Sequence, residues 1–141
     1  EQVALAPLAQ ELALAMVPLA HARNIELALE VEQAFDVWGE PTLLQELFGN
    51  LIDNALQHTP DGGVVTLRLR APALVEIEDT GPGIPPEERE RVFERFYRQS
   101  PSGTGLGLSI VGEICRAHRA EISLHEGAEG GLLVRVSFLV E

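Results

Sequence analysis

Eight consecutive residues, Asp79-Thr80-Gly81-Pro82-Gly83-Ile84-Pro85-Pro86, can belong to neither helix nor sheet. Prolines 82, 85 and 86 remove backbone donors and fix φ, while Gly81 and Gly83 leave the chain free to turn sharply. The stretch follows an apolar run, residues 74–78, so a strand must end there with a carboxylate at its tip. Whatever fold the chain adopts is organised around that break.

The remaining pattern supplies layers on either side of it. Residues 3–5 are expected as a short first strand. A helix follows from Pro7 to about residue 22, with Leu8, Leu12, Ala15 and Leu19 as its buried stripe and Pro18 kinking it or ending its regular part. Residues 25–31 alternate as a half-buried strand does, and Val37-Trp38 forms a brief extended piece before Gly39. Residues 41–58 read as a long helix closed by Thr59-Pro60-Asp61-Gly62-Gly63. Strands are expected over 64–70 and 74–78 with a tight connection at Ala71-Pro72. After the break come a charged amphipathic helix over 87–97, a mobile polar loop over 98–104, a helix over 106–118, and a hairpin of 121–125 with 132–140 around 127–131. This order predicts an α+β two-layer sandwich: a mixed sheet with its helices on one face.

Length and composition limit what such a domain can bind. At 141 residues, 45% of them hydrophobic, the chain can bury one core. A net charge of −12 argues against nucleic acid and against an anionic membrane surface, and an anionic ligand must be held by local devices. No run reaches the roughly 20 apolar residues of a membrane span and no secretory pattern opens the chain, so the piece is expected to be soluble. Cys115, alone in an apolar helical pattern, reads as a buried thiol of a reduced compartment.

Three constellations carry chemistry. On the helix of residues 41–58, Asn50, Asn54 and Gln57 or His58 form one polar stripe opposite Phe48, Leu51, Ile52, Ala55 and Leu56. A side-chain amide can complete the octahedral shell of a Mg²⁺ held mainly by triphosphate oxygens, a role Asn54 fits; the same spacing also describes a solvated helix face. Asp79, at a strand end above a glycine turn, can accept a hydrogen bond from the exocyclic amine of adenine, or can be an ordinary Asp-Gly turn. Gly103-Thr104-Gly105-Leu106-Gly107-Leu108 opens a helix whose uncovered amides make a phosphate cradle. No lysine follows as in a P-loop, and no βαβ unit surrounds it as in a dinucleotide fold.

Taken in order, the segments 50–56, 79–83, 93–97 and 103–108 resemble the asparagine box, first glycine box, phenylalanine box and second glycine box of bacterial sensor histidine kinases. The resemblance covers nearly the whole chain. It implies the Bergerat ATP-binding fold, shared with gyrase, Hsp90 and MutL ATPases, with a lid over the nucleotide between the two glycine boxes. Residues 1–6 would end the link from a preceding dimerisation domain. By position, it implies that Asn54 is the Mg²⁺ ligand, Asn50 a phosphate-side contact, Asp79 the adenine acceptor and Gly81 and Gly83 the base-facing turn. Ile84 and Leu108 would flank the nucleotide, with Thr104, Gly105, Leu106 and Gly107 as the phosphate loop and Phe93 and Phe96 as lid anchors. Gln57 stands where many members carry a cation, so neutralisation would fall to Arg95 or Arg98. His58 stands where many carry an aromatic, and would stack near adenine or cap its helix.

Asn50 also departs from the hydrolytic relatives, which commonly place a glutamate base four residues before the metal-binding asparagine; an amide cannot take a proton, which favours phosphoryl transfer over hydrolysis. The four histidines, His21, His58, His118 and His125, lack the acceptor box of the family. The resemblance therefore implies a catalytic domain that binds ATP and Mg²⁺ and serves a histidine on a separate dimerisation domain. The full-length protein would be a homodimer in the bacterial inner membrane with this domain in the cytoplasm, signalling to a response regulator.

Overall fold

The computed structural model describes residues 1–89 and 107–139. In order, the elements are β1 (Gln2–Ala4), α1 (Leu5–Ala22), β2 (Glu26–Val31), β3 (Asp36–Trp38), α2 (Pro41–His58), β4 (Val64–Arg70), β5 (Leu74–Asp79), α3 (Gly107–Ala117), β6 (Glu121–Glu126) and β7 (Leu132–Ser137). The expected helix over 87–97 has only a 3-10 turn at Pro86–Glu88 among the described residues. The lid loop over 98–104 lies outside them.

Five strands form one sheet in the order β2-β4-β5-β7-β6, and β1 pairs with β3 in a separate two-stranded ribbon. Only β2 and β4 run parallel; the other neighbours are antiparallel, so the sheet is mixed as the sequence predicts. Period-two alternation then divides the side chains. Val65, Leu67 and Leu69 of β4, Val75 and Ile77 of β5, and Val134 and Val136 of β7 are buried beneath the helices. Phe48, Leu51, Ile52, Ala55 and Leu56 of α2 close the core from above.

α2 forms where the sequence predicts it. Pro41 sits at its start, and the Glu40 carboxylate caps it by accepting from the Leu43 amide at 3.0 Å. The Thr59 hydroxyl donates to the Ala55 carbonyl at 2.7 Å as the helix ends. His118 joins α3 to the start of α2: its Nδ1 donates to the Ile114 carbonyl at 2.8 Å, leaving Nε2 to accept from the Glu40 amide at 3.1 Å.

α1 ends at Ala22 as expected, continuing through Pro18, and differs from its expectation in two ways. It begins at Leu5, so the first strand ends one residue earlier than expected. Its buried stripe is Leu5, Leu8, Ala9, Ala13 and Ala20, whereas Ala15 is exposed and Leu19 is 55% exposed. α1 packs on β2 and α2. Its 18 residues and mean hydropathy of 1.2 would meet the length and composition of a membrane span, yet this stripe belongs to the core of the two-layer fold.

The sheet face away from the helices carries an ion-pair network. Glu76 is 1% exposed although it points away from the core. Arg135 reaches it at 2.7 Å, Arg70 at 3.3 Å and Arg68 at 3.4 Å, and Arg68 also meets Glu30 at 2.9 Å and Glu78 at 3.4 Å. Burial pushes the Glu76 carboxyl up, but the hydrogen bonds from Arg135 and Arg70 outweigh it and hold the group below its ordinary value.

Candidate functional site

The alternation that buries Val75 and Ile77 also turns Asp79 inward at the end of β5, where it is 3% exposed. Its Oδ1 accepts from the Gly81 amide at 2.9 Å and from the Leu132 amide at 3.1 Å. Among the described residues, its Oδ2 has no hydrogen-bond partner. Burial pushes the Asp79 carboxyl up, and the two amides, which pull the other way, do not cancel it. The result is a fixed carboxylate with one oxygen held and one available.

The glycine turn packs directly on the end of α2. A Cβ at Gly81 would strike the His58 carbonyl oxygen, and Gly83 has φ +76°, in the left-handed region. The Thr80 hydroxyl accepts from the Val64 amide at 3.0 Å, tying the turn to β4 as well. His58 is thereby held beside Asp79. Its Nδ1 is a buried ring nitrogen with no partner among the described residues. Burial lowers its pKa, the Asp79 carboxylate opposing and Arg23 assisting, so the ring is neutral at physiological pH.

From His58 the polar stripe of α2 runs back through Asn54 to Asn50, eight residues or about 12 Å of helix. Both asparagines are half-buried. The Asn50 amide donates to the Glu46 carbonyl at 2.8 Å, leaving its side-chain oxygen uncommitted, and Asn54 makes no hydrogen bond among the described residues. Gln57 is turned aside, donating to the Asp53 carboxylate at 2.9 Å. Among the described residues, no cluster of three or more His, Cys, Asp or Glu is suited to a metal. The amide oxygen of Asn54 is of the neutral kind that can add to the shell of a cation held mainly by other ligands.

The structure thus brings Asp79, Gly81 and His58 into contact and places Asn54 and Asn50 successively farther along the same helix. Ile84 and Leu108 are buried, 5% and 6% exposed, as members of the core. Gly107 opens α3, which packs on α2. Phe93, Arg95, Phe96, Arg98, Thr104, Gly105 and Leu106 lie outside the described residues.

Two features were missed from the sequence. Arg23, just past α1, donates to the Gln57 carbonyl at 3.5 Å and lines a shallow cavity of about 500 Å³ with Gln57, His58, Thr59, Pro60 and Pro82. The Leu132 amide, 53 residues from Asp79, is the other; its only sequence signal is the Gly130-Gly131 pair before β7. Cys115 is buried, and its thiol is pushed up to about 11 by desolvation, which leaves it protonated and inert.

Residues 39–141 match the family model described as histidine kinase-, DNA gyrase B-, and HSP90-like ATPase. Sensor protein QseC of Salmonella typhimurium is 39% identical over 97% of this chain, and sensor protein kinase PmrB of Pseudomonas aeruginosa 42% identical over 95%. The chain spans 31% and 30% of those proteins' lengths. The solved mycobacterial sensor histidine kinase MprB superposes with a TM-score of 0.85 at 32% identity, covering 98% of this chain and 95% of that one.

Proposed function

Because the chain belongs to the family of histidine kinase-, DNA gyrase B- and HSP90-like ATPases, we propose that it is the ATP-binding catalytic part of a sensor histidine kinase. It would bind Mg²⁺-ATP and give the γ-phosphoryl group to a histidine on a separate dimerisation domain. The observation that carries the reading is Asp79: a buried carboxylate whose Oδ1 is fixed by two amides and whose Oδ2 is left to accept from the adenine amine.

With the base at the Asp79 end, the phosphates extend along α2 toward Asn54 and Asn50. Asn54 would contribute an oxygen to Mg²⁺, which when bound neutralises charge on the triphosphate. Asn50 presents an amide oxygen on the phosphate side and cannot act as a base toward water, which favours transfer over hydrolysis. The His58 ring, which feels the Asp79 carboxylate, would stack beside the base. Arg95 or Arg98 would complete phosphate neutralisation, with residues 103–107 as the phosphate loop. Similarity to sensor kinases about three times as long supports a homodimeric, inner-membrane protein with this part in the cytoplasm and a response regulator downstream.

Transfer requires the acceptor nitrogen to be held in line with the γ-phosphorus, positioning worth up to about 7–11 kcal/mol of the barrier. The isolated chain should therefore bind a non-hydrolysable ATP analogue calorimetrically and remain unlabelled with γ-labelled ATP and Mg²⁺. Adding the cognate dimerisation domain should produce acid-labile phosphohistidine on that partner. Stoichiometric label on His21, His58, His118 or His125 would overturn the transfer reading, and steady phosphate release would favour a stand-alone ATPase.

A further inference from the structure

The turn between β6 and β7 lies far in sequence from the nucleotide-binding segments, yet it is built against Asp79. The Leu132 amide donates to Asp79 Oδ1 at 3.1 Å. A Cβ at Gly131 would fall on the Asp79 carbonyl oxygen and within 2.7 Å of Oδ1. The turn is itself braced: the Gly127 amide donates to the Gly131 carbonyl at 2.7 Å, and the Ala128 amide to the Glu78 carboxylate at 2.6 Å. Gly130, with φ +85°, has no atom within 4 Å of an added Cβ. Side-chain space is therefore missing at Gly131, beside the carboxylate, and present one residue away.

We infer that Gly131 and the Leu132 amide are positioning residues for base selection, fixing the Asp79 rotamer so that Oδ2 alone is presented to the exocyclic amine of the base. This rests on the adenine reading of Asp79 given above. A carboxylate free to rotate could present either oxygen, or turn both toward backbone amides, and the 6-amino group would lose its fixed acceptor. The Glu78–Ala128 bond makes the clamp part of the same strand as Asp79, so the turn and the carboxylate move together.

The test compares binding of ADP with that of the 5′-diphosphate of purine riboside, which lacks only the 6-amino group. The unaltered chain should prefer ADP by about 10- to 150-fold, as expected for one charge-assisted hydrogen bond. In Gly131→Ala the preference should fall below about threefold. Gly130→Ala, which strains the turn without touching Asp79, should keep it. Glu78→Ala, which unties the turn at Ala128, gives up the pairing with Arg68 on the far face of the sheet and adds no atom beside Asp79, should lower the preference by a smaller factor, and it tests the clamp even where Gly131→Ala does not fold. Equal affinities in the unaltered chain would overturn the adenine reading itself. An unaltered chain that discriminates, with folded Gly131→Ala or Glu78→Ala variants that discriminate equally well, would overturn this inference alone.

Discussion

Asp79 shows how a residue can serve binding at the expense of folding. Its carboxyl is pushed above the ordinary value of 3.8 mainly by burial. As pH rises through that ordinary value, the unfolded chain releases this proton before the folded one does, so the ionised group lowers stability at neutral pH. Asp79→Asn keeps an acceptor for the Gly81 and Leu132 amides and removes the buried charge. Its melting temperature at pH 7 should match or exceed that of the unaltered chain, while ADP affinity should drop roughly 10- to 150-fold by calorimetry. Unchanged affinity in the folded variant would remove Asp79 from the base site. His58 carries the opposite sign: burial makes its protonation unfavourable, so its cost appears as pH falls through the ordinary value of 6.5.

Among the elements, α2 and the β4–β5 hairpin were legible because their signals agree: a helical stripe bounded by Pro41 and the 59–63 turn, then two apolar-rich runs separated by the tight Ala71-Pro72 connection. The burial of Asp79 was not: the strand was expected to end at residue 78, whereas β5 runs one residue further and turns the carboxylate inward. The α1 stripe was legible only in part: Leu8 is buried and Leu12 packs on the core as expected, but Ala9, Ala13 and Ala20 are buried where periodicity favoured Ala15 and Leu19. The β1–β3 pairing joins three-residue strands about 34 residues apart, too short to carry a pattern of their own. The insertion of β7 between β5 and β6 is likewise a choice of partner that no local signal encodes. Glu76 was hidden for another reason: a charge on an outward strand position reads as solvated, and only the convergence of Arg68, Arg70 and Arg135 buries it. Its depressed carboxyl stabilises the fold fully above pH 4.5, and that contribution is lost as pH falls through its lower folded value. Glu76→Gln should cost about 2 kcal/mol at pH 7, a melting point roughly 4–8 °C lower, with the deficit narrowing in acid. Identical acid profiles for the two proteins would contradict the network's role.

Across the whole molecule, the first residues are tied in rather than trailing. Gln2 pairs with Trp38 and Ala4 with Asp36, and Val3 is buried against Val37. Removing residues 1–4 should therefore cost about 2–3 kcal/mol, read as a lower denaturation midpoint with an unchanged far-ultraviolet helix signal. A truncated chain as stable as the original would show the ribbon to be incidental. The strand order has a separate consequence for how copies of the molecule meet. Among the described residues the sheet ends in β2 on one side and β6 on the other, and no further strand pairs with either outer edge, the place where a neighbour's strand could add. Glu26 and Glu30 stud one edge, and Glu121 and Glu126 the other. Either edge approaching either edge of a neighbour sets carboxylate against carboxylate, so the acidity of the chain also guards its sheet against growing from molecule to molecule.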